Sequence, residues 1–188
     1  MKYPVPKDTA ATAHLRETAH GLGTLARVSL LTFAAELALD TLPDNPERAE
    51  GSRALDLAAQ LAAGAQVNPT TLLDAMLCED EGVWIYEQRA PAGPEANAWG
   101  AVIYALGYAA YQGSLRVGRR PASMIEGWAS PDILDFFIDP YTGLTNLDWT
   151  AMARGEAYVR QHGSKAADGW GEPLRVEDIR QAAFSEAR

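Results

Sequence analysis

The chain is predicted to be all-α, one domain over residues 1–188 built as a bundle of about six to eight helices. Three observations predict this. Apolar residues recur three and four apart through most of the chain, which is the repeat of a helix with one buried face. Two Asn-Pro pairs, Asn45-Pro46 and Asn68-Pro69, stand immediately before such runs, where Asn caps a helix and Pro occupies its first turn. Only one stretch, GVWIYEQRA, is rich in β-branched and aromatic residues, and a single strand has nothing to pair with. The 188 residues are 47% hydrophobic and 22% charged, a globular composition with enough apolar side chain for one core.

Taken in order, Pro4 and Pro6 mark an irregular arm over residues 1–8, and a first helix begins near Thr9 and is loosened by Gly21 and Gly23. Leu25, Val28, Leu31, Ala35 and Leu39 define a second, which Pro43 stops. A third starts at Pro46 under an Asn45 cap and runs through Leu55, Ala58 and Leu61 to Gly64; a fourth follows Asn68. GVWIYEQRA reads as a short extended segment or irregular helix edge, ended by the APAGP break. Later come a basic loop, GSLRVGRRPAS, and a helix in SPDILDFFIDP capped by Ser130 and ended by Pro140. NLDWTAMARGEAYVRQHG and VEDIRQAAFSEAR complete the helices.

Between these lies EANAWGAVIYALGYAAYQ, Glu95 to Gln112, uncharged after its first residue. Its apolar run of about 15 residues is shorter than the roughly 20 that cross a bilayer. At helical spacing Trp99, Ile103, Leu106 and Ala110 share a face, and Tyr104, Tyr108 and Tyr111 lie on the neighbouring one. The segment is expected to be the most buried helix, with Ala98, Ala101, Ala105 and Ala109 admitting close neighbours.

The formal charge is −9, and residues 36–139 alone hold 16 acidic and 6 basic side chains, a net −10. That field disfavours nucleic acid and anionic lipid and favours a basic partner. One Cys rules out an internal disulfide framework, and MKYPVPKDTA has no apolar signal-peptide core, so a reducing, cytoplasmic setting is expected.

No catalytic signature emerges. Glu17 and His20 form one Glu-x-x-His pair, but a di-metal bundle needs two; His14, Glu17 and His20 also miss the zinc-protease spacing, so the histidines read as solvated and neither metal nor cofactor is expected. GLGTLA, Gly21 to Ala26, matches a loose dinucleotide pattern without the strand that would give it meaning. Cys78, followed by Glu79, Asp80 and Glu81, reads as a buried or half-buried structural residue. Asp132, Asp135 and Asp139 fall on one helical stripe, a solvated face or a binding surface.

CEDEGVWIYEQRAPAGPEANAWGAVIYALGYAAYQ followed by RRPASMIEGWASPDILDFFID resembles the immunity protein 6 family of bacterial polymorphic toxin systems. The resemblance spans roughly Leu72 to Asp139 and is carried by Asn97, Ala98 and Trp99, by Tyr104, Tyr108 and Tyr111, and by Pro121, Asp132, Phe136 and Phe137. Residues 140–188, with Trp149 and Trp170, have no counterpart in it. It implies a non-enzymatic antidote whose partner is a cognate toxin domain. The expected contact surface is Glu79, Asp80 and Glu81 with Trp84 and Tyr86, together with Asp132, Asp135 and Asp139, in which carboxylates meet a basic cleft and aromatics anchor the contact. The alternatives are a helical scaffold or adaptor for another protein and a metal-dependent bundle enzyme.

Overall fold

The computed structural model describes residues 10–78, 82–129, 133–163 and 169–185, and among them it is all-α with no strand. The helices are α1 (Ala10–Gly21), α2 (Thr24–Leu39), α3 (Pro46–Ala62), α4 (Pro69–Leu77), α5 (Val83–Arg89), α6 (Pro94–Arg116), α7 (Ile133–Thr142), α8 (Trp149–His162) and α9 (Val176–Phe184), with a 3₁₀ turn, Glu126–Ala129, before α7. The N-terminal arm, Ser130, Asp132 and the Glu79-Asp80-Glu81 run lie outside the described residues.

Local chemistry sets most of the boundaries. Asn45 accepts the Arg48 N–H at 2.8 Å and Asn68 accepts the Thr70 N–H at 3.1 Å, each followed by Pro in the first turn. At its other end α3 closes on Gly64, whose φ of +90° lets the Ala65 and Gly64 N–H groups return to the carbonyls of Gln60 and Leu61. The same closure at Gly118, φ +68°, ends α6 at Arg116, so the helix runs four residues beyond Gln112 and takes in GSLR from the expected loop.

GVWIYEQRA is helical, a correction to the extended reading. With no strand to pair with, the run buries Val83 and Tyr86, three apart, against α6 and leaves Trp84 outside. Pro140 does not end α7, because in the last turn its missing N–H removes only one bond and the helix continues to Thr142. Leu134, Phe137, Ile138 and Tyr141 form the inner face of α7.

The core is built on α2 and α6, which pack on one another. Helices α3, α4, α5 and α7 surround α6, the α8–α9 pair covers the other side of α2, and α1 bridges α7 and α8. The most buried helix is α2 rather than α6: 13 of its 16 residues are buried, against 13 of 23 in α6. Arg27 hid this in the sequence. It is half-buried and donates to the carbonyls of Ala19 and Leu22 and to the Tyr108 hydroxyl, at 2.9, 3.0 and 3.0 Å, so the charge closes the end of α1 instead of facing water.

Candidate partner-binding face

α5 and α7 both pack on α6, whose half-buried Tyr104 meets α7. Its ring stacks on Phe137 at 5.1 Å and meets Trp128 edge-on at 6.3 Å, while Trp128 and Phe137 are 4.7 Å apart. Gly107 makes room for this cluster, since a Cβ there would lie 2.0 Å from the Trp128 ring. Burial, then the charges of Glu87 on α5 and Asp139 on α7, push the Tyr104 phenol above its usual range. Of the two helices, α7 carries Asp135 and Asp139 and no basic residue, while α5 carries both Glu87 and Arg89.

The expected contact residues divide. Trp84 is 44% exposed. Tyr86 is turned inward: it is 9% exposed, tilts against Trp99 at 5.1 Å and donates its hydroxyl to the Glu50 carboxylate. Burial first, and then that carboxylate, push the phenol to about 12. Asp135 and Asp139 are each about half exposed, but they are not a solvated stripe. Arg16 of α1 reaches Asp139 at 2.6 Å and lies 3.8 Å from Asp135, and His20 meets Asp135 at 2.9 Å. Glu79, Asp80, Glu81 and Asp132 are outside the described residues.

The histidines are correspondingly not simply solvated. His14 Nδ1 faces Glu156 Oε2 at 3.1 Å, and its Nε2 lies 2.9 Å from Arg160, so α1 is tied to α8 as well as to α7. A cleft of about 210 Å³ beside this contact is lined by His14, Glu17, Thr18 and Arg160 among others. Among the described residues no group of three His, Cys, Asp or Glu side chains is placed to hold a metal ion. Cys78 is exposed, contrary to its expected burial. Gly21 to Ala26, the loose dinucleotide match, spans the junction of α1 and α2.

Glu156 carries a pH prediction. Its side chain is 4% exposed and its Oε1 has no hydrogen-bond partner among the described residues. Burial pushes the carboxyl above its ordinary 4.5, with the His14 hydrogen bond and the charges of His14 and Arg160 pulling less strongly downward. A carboxyl with a raised folded pKa binds its proton more readily when folded, so it costs stability progressively as pH rises from the unfolded value through the folded one. Glu156→Gln, which can still accept from His14, is expected to raise the thermal midpoint at about pH 7.5 and to converge on the parent as the pH is lowered through that range. A variant less stable than the parent throughout would contradict this.

Comparison of the chain with protein-family models, with curated proteins and with solved structures gave no match. No described helix is long and apolar enough to cross a membrane. The functional reading accordingly rests on the residues and geometry of the chain itself.

Proposed function

We propose that the chain is a non-enzymatic antidote that binds and neutralises a basic toxin domain, with the face formed by α5, α6 and α7 as its contact surface. The observation that carries this reading is the exposed Trp84 on α5 and the half-exposed Asp135 and Asp139 on α7, two helices that both pack on α6. The combination suits a protein interface: Tyr and Trp supply contact area with few rotors, and carboxylates around them steer a basic partner and set orientation. The net −10 of residues 36–139 supplies the long-range field. The resemblance of residues 72–139 to immunity protein 6 names the kind of partner.

The structure refines how such a surface would work. Asp135 and Asp139 already hold cations from α1, and exposed ion pairs contribute only about 0 to 1 kcal/mol each, so a partner can exchange with them at small cost. Changing these aspartates to Asn would disturb the seat of α1 as well as the partner, whereas Glu87 on α5 has no ion pair within 4 Å among the described residues. Co-expression with the product of the neighbouring gene is the test. A stable complex whose affinity falls with salt, and falls further with Glu87→Lys, is expected. Absence of any complex at low ionic strength would remove the antidote reading and leave that of a scaffold for another protein.

A further inference from the structure

Beyond the Tyr104 cluster, the junction of α4 and α5 holds a second feature that the core does not use. The Gly82 N–H donates to the Cys78 carbonyl at 2.8 Å, an approach so close that a Cβ on Gly82 would lie 2.5 Å from the Cys78 nitrogen. It sets the start of α5 against the end of α4. The result is a hollow of about 170 Å³ lined by Leu77, Cys78, Trp84, Ile85 and Gln88, none of them charged. Trp84 forms its exposed wall, at 44% exposure the one large aromatic of α5 turned to solvent while Tyr86 is buried.

We infer that this hollow docks an arginine side chain of the basic partner, with the guanidinium stacked on the Trp84 indole. The inference rests on the proposed function for the nature of the partner and adds the chemistry of its anchoring residue. Three considerations select arginine. An apolar hollow accepts the methylene stem of a long basic side chain. A planar, weakly hydrated guanidinium stacks on an indole face, whereas a compact ammonium keeps its water. A carboxylate is at hand: Glu87 stands three residues after Trp84 on the same helix face. The positive end of α5 opposes a cation with at most about half a charge, less than the full charge of the Glu87 carboxylate.

The test uses the full chain and two probes, acetylated hexa-arginine amide and hexa-lysine amide, titrated at low and physiological salt while the Trp84 indole N–H is followed by NMR. Hexa-arginine is expected to shift that signal and to bind at least about fivefold more weakly to Trp84→Leu, the fold-change of one cation–π contact. Trp84→Tyr, which keeps a π face, should fall between. A half-exposed position tolerates these changes, and an unchanged thermal midpoint confirms it. Hexa-lysine bound as tightly as hexa-arginine would overturn the arginine assignment. An unshifted Trp84 signal, or equal affinity for Trp84→Leu, would overturn docking at the hollow. Neither result touches the antidote reading, because complex formation with the neighbouring gene's product is measured separately on the unmodified chain.

Discussion

Trp99→Ala is expected to destabilise the protein by about 3 to 5 kcal/mol, a large part of the roughly 5 to 15 kcal/mol available to a domain of this kind. Trp99 is 2% exposed and joins three helices. Within α6 it lies against Tyr86 of α5, ring centroids 5.1 Å apart, and it presses on α3 where Gly51 stands; a Cβ there would be 2.9 Å from the indole. Truncation therefore leaves a void between elements whose backbones are already held apart by other contacts, so collapse is incomplete and the cavity cost adds to the lost burial. Chemical denaturation reads the difference directly. A loss below about 1 kcal/mol would show that the α3–α5–α6 junction closes over the gap, contrary to the packing described.

The second large effect is expected at Gly155, where α8 crosses α2. A Cβ there would lie 2.2 Å from Cε1 of Phe33, a ring that is fully buried. Gly155→Val should cost about 1 to 3 kcal/mol by overpacking, because the helices must separate. Gly155→Ala carries the same clash with less bulk and regains up to about 1 kcal/mol of helix propensity, so it should cost less. Gly100 in α6 is the control: the nearest atom to its added Cβ is 3.8 Å away, and Gly100→Ala should be neutral or slightly stabilising. Equal effects at Gly155 and Gly100 would mean that backbone propensity, not helix approach, governs both sites.

The fold was legible where local chemistry decides the outcome. Asn45-Pro46, Asn68-Pro69 and the stop at Gly64 each depend on a hydrogen bond or a backbone angle set within a few residues, and all three stand as read. Readings that depend on remote neighbours fared differently. Val83 to Tyr86 favour a strand in isolation, but what settles α5 is the surface of α6 beneath it. Nothing in the sequence around Arg27 shows its burial, because its partners Ala19, Leu22 and Tyr108 are brought together only by the tertiary fold.

The candidate face divides in the same way. That Trp84 faces solvent from α5 while Tyr86 faces inward follows from a helical period that the extended reading had discarded. Nothing in the spacing of Asp135 and Asp139 announces that Arg16 and His20, more than a hundred residues earlier, occupy them. Tyr104 was visible only as one of three tyrosines on a helix face; its stacking on Phe137 of α7 is a property of the packed structure.

The central claim is that a basic partner is bound on the face of α5, α6 and α7. Amide hydrogen exchange of the chain, free and in complex with the product of the neighbouring gene, measures this most directly, because protection on complex formation reports which backbone segments are covered or stiffened. Added protection is expected over Val83–Arg89 and Ile133–Thr142, lost in parallel when Glu87→Lys weakens the complex, with α9 unchanged. Protection confined to α8 and α9, with α5 and α7 exchanging as in the free protein, would contradict it.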